Sequence, residues 1–248
     1  MNTRSFLFIV ASLSLGAMTP NTSLANTDCR RLNVAAAEIP YFVESEDKGV
    51  FVNLIRTAAR RAGLELTIKV YPKKRALKLF QHGRVNALLP HSSAGTDLPS
   101  YKSTPILIKR DFVFVRRGTP IPKTISELEG LQIGLTKQYA YSNLLTSNKN
   151  IEFSRAPHSD LANIKMLSFG RLDGSIIEER SGLKAISDAG VGNIVYDRQH
   201  PINEFLVWVL FSKDKCGKQL SNKMNSEFSA MKSDGKWEEV MTPPNSDN

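Results

Sequence analysis

The stretch from Leu161 to Ser187 constrains the fold most. It contains Gly170-Arg171-Leu172-Asp173-Gly174-Ser175-Ile176-Ile177-Glu178-Glu179, which reads as a helix, a glycine stop, a short buried strand, and carboxylates where the strand ends. Glu178 and Glu179 therefore fall at the carboxyl end of a strand, the edge at which open α/β sheets form ligand crevices. The same local order occurs earlier, from Arg75 through Gly83-Arg84 to Ala87-Leu88-Leu89-Pro90. Two copies of a helix-Gly-Arg-strand unit imply two α/β lobes.

The ends of the chain set its compartment. Met1 to Ala25 carries an early positive charge at Arg4, an apolar run from Phe6 to Leu15 and the small-x-small ending Ser23-Leu24-Ala25. This is the pattern of a cleaved signal peptide, and the apolar run is too short to span a bilayer. The expected mature chain is residues 26–248, periplasmic and soluble. Asn26-Thr27-Asp28 before Cys29 is unlike a lipidation signal. In an oxidising compartment the only two cysteines, Cys29 and Cys216, read as a distant disulfide. The four histidines, His82, His91, His158 and His200, show no metal-ligand spacing, so no metal and no cofactor are expected. A formal net charge of +9 could draw anions, but the basic residues are scattered, as solubility alone requires. Export and the lack of a concentrated basic stripe exclude nucleic acid as a partner.

Periodicity predicts the elements. Leu32 to Ala37 is a compact strand, and Val50, Phe51, Leu54, Ile55, Ala58, Ala59 and Ala62 mark one helical face ended by Gly63. Leu64, Leu66, Ile68 and Val70 alternate as a strand, Lys73 to His82 forms a helix stopped by Gly83, and Ala87-Leu88-Leu89 is a buried strand. That β-α-β-α-β order opens a largely parallel sheet. Ile106 to Arg116 is too long a β-favouring run for one small sheet, and Glu204 to Phe211 is a second. Both read as crossings between lobes, with the same order repeated between them. The expected division is a signal peptide over 1–25, a discontinuous first lobe over 26–116 and 204–248, and a second lobe over 117–203. A terminal helix from about Gly217 to Ser233 would pack on the first lobe and return Cys216 towards Cys29.

With these elements in place, the chain resembles family 3 of the periplasmic solute-binding proteins, the polar amino-acid receptors of ABC importers. The carriers are Ile39-Pro40-Tyr41-Phe42, Lys48-Gly49 through Leu54, Tyr71-Pro72-Lys73-Lys74-Arg75-Ala76-Leu77, Leu128 to Gly134, Gly170 to Asp173, and Asp234-Gly235-Lys236-Trp237. The resemblance implies a type II two-lobed α/β fold with two hinge crossings. It also implies that Glu178, five residues after Asp173, pairs with a ligand ammonium group, since a desolvated cation needs an anionic partner. Asp173 itself is read as structural. The family's Thr-x-x-Arg turn, whose Arg grips a ligand carboxylate, is broken: Leu98 and Pro99 stand where that Arg is expected. Arg75, Lys109 and Arg110 are the candidate replacements. Tyr41, Phe42, Tyr71, Tyr139 and Tyr141 fall in strand-to-helix connections, where rings can wall a ligand or stack on a cation. The family's Gly-Tyr-Ser-Tyr-Gly reads here as Gln138-Tyr139-Ala140-Tyr141-Ser142, without its glycines.

The expected function is capture of a small polar ligand, amino-acid-like or amine-bearing, by lobe closure, with an ABC-transporter permease as the implied partner, a monomeric state and no enzymatic turnover. Two other readings stand beside it. One is a sensor or partner-binding protein with a degenerate cleft. The other is a dehydratase acting on cyclic carboxylates, with Glu178 or Glu179 as general acid.

Overall fold

The computed structural model describes residues 29–137, 139–154 and 159–242. The signal segment, Gln138 and His158 lie outside them. Strand β1 (Arg31–Ala37) leads through the turn 38–49 into helix α1 (Val50–Arg61), then β2 (Glu65–Tyr71), α2 (Lys73–Gln81) and β3 (Ala87–Ser92). β1 lies between β2 and β3 and is parallel to both. A short strand not foreseen from sequence, β4 (Ser100–Lys102), follows, and then β5 (Leu107–Arg116), which fills the long β-favouring run from Ile106 to Arg116. A 3-10 turn (Ser126–Leu128), β6 (Gln132–Gly134), α3 (Asn143–Thr146), β7 (Glu152–Ser154), α4 (Asp160–Ser168), β8 (Gly174–Glu178), α5 (Glu179–Ala189) and β9 (Ile194–Val195) continue the chain. It closes with β10 (Asn203–Ser212), α6 (Lys215–Ser233) and a further short helix, α7 (Lys236–Met241).

The repeated sequence unit is a repeated structure. Gly83 and Gly170 both take the left-handed conformation that favours glycine, with φ of 64° and 75°. The next N–H, of Arg84 or Arg171, donates back to Leu79 or Met166 at 2.9 Å, and so closes each helix in the same way. Three residues beyond each glycine, a polar side chain ties down a neighbouring strand: Asn86 Oδ1 accepts the N–H of Asn33, and Asp173 Oδ2 accepts that of Gln132. Asp173 is thus used inside the fold.

One sheet runs through the molecule in the order β2-β1-β3-β10-β5-β8-β6-β7. Its two longest strands pair antiparallel over five positions, from Asn203–Asp111 to Val207–Leu107. Beyond that seam they diverge, β10 to β3 and β4, and β5 to β8 and β9. Apolar packing divides in the same way. On one side α1, α6 and α7 cover β1, β3 and β10 through Phe51, Leu54, Phe211 and Phe228. On the other, Phe112 and Phe114 pack beneath α4 and α5, while Val113, Val115 and Ile176 face Leu128, Ile133 and Leu145. At about 25 cal/mol per Å² of apolar area buried, these side chains supply the main driving force for each half.

Cys29 and Cys216 form a disulfide with Cα atoms 5.0 Å apart, closing a sequence separation of 187 residues between the start of β1 and the first turn of α6. The chain-entropy relation assigns about 5 kcal/mol to so long a loop, and measured bridges fall at or below that. Replacing both cysteines by Ala is expected to lower unfolding free energy by about 2–5 kcal/mol in urea melts. Intact mass should show two alkylatable thiols only after reduction.

Candidate functional site

The site is built on one face of the continuous sheet. Residues two apart on a strand share a face, and directly opposed residues stand side by side. Starting in the first apolar core, this face shows Val207 opposite Leu107, then Phe205 opposite Lys109. Next come Asn203, Asp111 and Glu178, three polar side chains abreast across β10, β5 and β8. Val113 opposite Ile176 then begins the second core. A polar rank therefore interrupts the face at the crossing strands, between two hydrophobic cores.

Burial makes this rank unusual. Asp111 is fully buried and Glu178 is 7% exposed, and like charges directly opposed across strands repel. The Lys109 ammonium pairs with Asp111. It also lies 5.8 Å from the centre of the Tyr141 ring and 5.5 Å from that of Phe205. Asp160, 1% exposed at the start of α4, accepts the Thr136 hydroxyl, and Tyr141 Oη accepts the Thr136 N–H at 2.9 Å. Glu178 is the N-cap of α5: its Oε2 accepts the Ser181 N–H at 2.9 Å.

The β1–α1 turn meets the β8–α5 junction through Tyr41 and Arg180. Tyr41 holds φ of 73°, rare for a residue with a side chain, and is fixed there by its N–H donating to Glu44 Oε1 and its carbonyl accepting from Val50. Arg180, next but one to Glu178, reaches this turn: its guanidinium lies 5.8 Å from the Tyr41 ring centre and donates to the Met241 carbonyl at 3.3 Å. Burial raises the Tyr139 phenol well above its usual range, and the charges of Asp160, Tyr141, Glu178 and Glu38 add to this.

The residues singled out from sequence separate into two groups. Glu178, Tyr41, Tyr139 and Tyr141 come together in the site. Phe42 is 3% exposed and packs on Phe51 in the core, with ring centres 4.7 Å apart. Tyr71 is half-buried at the end of β2 beneath the Arg75 guanidinium, 5.2 Å away. Arg75 is exposed and lines a groove with Lys78, Leu79, His82 and Arg84. Of the proposed Arg replacements, Lys109 belongs to the site and Arg110 pairs with Glu204 on the surface. Glu179 accepts the Tyr196 hydroxyl at 2.7 Å and pairs with Arg198. Asp111, Asp160 and Arg180 were missed. Asp111 was detectable as an acid sharing strand parity with Val113 and Val115. Asp160 and Arg180 had no comparable signal. Among the described residues no group of three or more His, Cys, Asp or Glu side chains could hold a metal ion, and no helix is long and apolar enough to cross a membrane.

Burial lifts the Glu178 carboxyl to about 7, against the pull of the Ser181 and Arg180 N–H groups and of the Arg180 and Lys109 charges. It lifts Asp160 to about 6, opposed by the Thr136 hydroxyl and Lys109. A carboxyl whose folded value is raised binds its proton more tightly when folded, so its contribution to stability is complete below the unfolded value and is lost as pH rises through the folded one. Stability is therefore expected to fall by about 2–4 kcal/mol between pH 5 and 8 in urea melts. Glu178→Gln should remove most of the fall between pH 6 and 7.5.

No protein-family model matches the chain, and no curated protein does. Solved structures match it closely in shape. The GluR0 ligand-binding core from Nostoc punctiforme, in complex with L-glutamate, superposes with a TM-score of 0.69 at 19% identity, covering 84% of this chain and 96% of that one. The P235GK mutant of ArgBP from T. maritima gives 0.66 at 18%, covering 86% and 93%. A histidine kinase sensor domain with similarity to periplasmic binding proteins gives 0.69 at 17%, covering 85% and 94%. At these identities the likeness establishes the fold: the chain has the two-lobed α/β architecture of the type II periplasmic binding proteins.

Proposed function

We propose that the protein is a periplasmic solute receptor that captures a small amine-bearing, amino-acid-like ligand between its lobes and delivers it to an ABC-transporter permease. The observation that carries this reading is the polar rank Asn203–Asp111–Glu178 on the sheet face between two apolar cores. Buried carboxylates that face a cleft walled by Tyr41, Tyr139 and Tyr141 are chemically suited to a desolvated ammonium group. Arg180 is the cation beside Glu178 that could meet a ligand carboxylate, in place of the family Arg absent at Leu98 and Pro99.

Lobe closure follows from the crossing strands. The seam Leu107–Asp111 against Asn203–Val207 is the proposed hinge, with lobes formed by residues 26–116 with 204–248 and by 117–203. Arg180 and Tyr41 lie on opposite sides of that division, so their contact would form on closing. A ligand that touches both sides favours the closed form by its extra contacts there.

Thermal-shift and calorimetric screening of the mature protein against amino acids, amines and small organic acids tests the proposal. An amine or amino acid should raise the melting temperature. Glu178→Gln should weaken that ligand at least tenfold, with its own melt confirming a folded protein. Because an ammonium group needs the ionised carboxylate, affinity should fall by up to about tenfold between pH 7.5 and 6. A panel without a single binder, or turnover of a cyclic acid, would contradict the receptor reading.

A further inference from the structure

Over the full length of the chain the cations look scattered, but one stretch collects them. From Leu66 to Thr96 there are six, Lys69, Lys73, Lys74, Arg75, Lys78 and Arg84, and no Asp or Glu. Four of the six belong to α2, which packs on β1 and β3 through Ala76 and Phe80. Lys73, Lys74 and Arg75 open that helix, the end where its dipole favours acids, and its first turn holds neither an acid nor a side-chain cap. Helix stability therefore does not account for them. Among the described residues Lys69 pairs with Glu46 at 2.9 Å, whereas no carboxylate pairs with Lys74, Arg75, Lys78 or Arg84.

The unpaired cations share one surface. Arg75, Lys78, Leu79 and His82 follow one another at the i, i+3, i+4, i+7 spacing of a single helix face, and with Arg84 they line a groove of about 370 Å³. Arg75, Lys78, His82 and Arg84 are exposed, and Leu79 among them is half-buried. Two of the rings and forks are already held: the Arg75 guanidinium lies 5.2 Å from the centre of the Tyr71 ring, and His82 Nδ1 donates to the Lys78 carbonyl at 2.7 Å. The aliphatic stems of the long side chains add apolar surface to that of Leu79. From Arg75 to His82 the stripe runs about 10 Å along the helix axis.

We propose that this groove is a docking surface for an acidic segment of a partner protein, one that sets carboxylates against Arg75, Lys78 and Arg84 and an apolar side chain against Leu79. Charge complementarity selects an anionic occupant, and guanidinium groups suit carboxylates, which they can grip through two parallel hydrogen bonds. The length of the stripe selects a segment with several carboxylates over a single small anion. The concave shape and the half-buried Leu79 select a projecting side chain over a flat lipid surface, which would meet only the ends of the cations. Steering by such a patch speeds the encounter as well as fixing its register.

Fluorescence anisotropy of a labelled peptide, Gly-Glu-Glu-Leu-Glu-Glu-Gly, titrated with the mature protein tests the proposal. The peptide should bind at low salt and weaken as salt is raised from about 50 to 200 mM. Arg75→Glu with Arg84→Glu should weaken it at least about tenfold, while Lys218→Glu with Lys223→Glu, two exposed lysines of α6 whose reversal changes the net charge equally, should weaken it less than about threefold. Replacing the leucine of the peptide by glycine should cost about threefold or more, through the lost contact with Leu79. Thermal melts check that both double variants are folded, and Arg75→Gln with Arg84→Gln serves if the first is not. No binding of the peptide, equal losses in the two double variants, or a glycine peptide that binds as well as the leucine one would overturn the proposal. So would sedimentation with phosphatidylglycerol vesicles that needs Arg75 and Arg84 while peptide binding does not. None of these outcomes depends on what the cleft between the lobes binds.

Discussion

Five antiparallel residue pairs, from Asn203–Asp111 to Val207–Leu107, join the two halves of the molecule into one sheet. Everything that follows depends on that seam. Each crossing strand is apolar where it serves a core: Val207, Val209 and Phe211 in one, Val113 and Val115 in the other. At the Asn203–Asp111 end of the seam neither core reaches the strands, and the positions on this face are held there by Phe205, Lys109, Asp111 and Asn203. The cleft is thus the place where the sheet lacks apolar cover, and polar groups there are partly withdrawn from water without a full set of partners. Such a surface is suited to a ligand that supplies the missing partners.

The elements were legible because each is governed by a local rule. The 3.6-residue spacing of Val50 to Ala59 gives α1, and left-handed glycines at 83 and 170 stop α2 and α4. The repeated unit also carried its own tether, since Asn86 and Asp173 occupy matching positions and hold matching strands. Glu178 was legible for a related reason: a carboxylate that follows a wholly buried strand and opens a helix must lie at the sheet's carboxyl edge. The structure adds that the same carboxylate caps α5.

The remainder of the site depends on tertiary register, which a single sequence does not carry. Asp111 becomes a site residue only because β5 pairs with β8 in the one register that sets it beside Glu178. Asp160 looks like an ordinary first-turn acid until Thr136 and Tyr141 are seen folded over it. Phe42 failed to join the cleft for the opposite reason: the turn that presents Tyr41 at φ of 73° rotates its neighbour into the core against Phe51. The loop position at Leu98 has a physical account as well. Leu98 is 8% exposed and packs with Ala37, Phe80 and Leu210, so that part of the loop has become core, and the cations of the site come from β5 and α5 instead.

The central claim is that a buried carboxylate on this face is held ready for a cation, and Glu178 can be observed directly. Following its side-chain carboxyl carbon by NMR across pH 4–9, with and without a bound amine, is the most direct test. Titration near 7 in the free protein, displaced downwards by at least about one unit when the amine binds, is the predicted result. Titration near the ordinary carboxylate value, unmoved by any amine, would contradict the account.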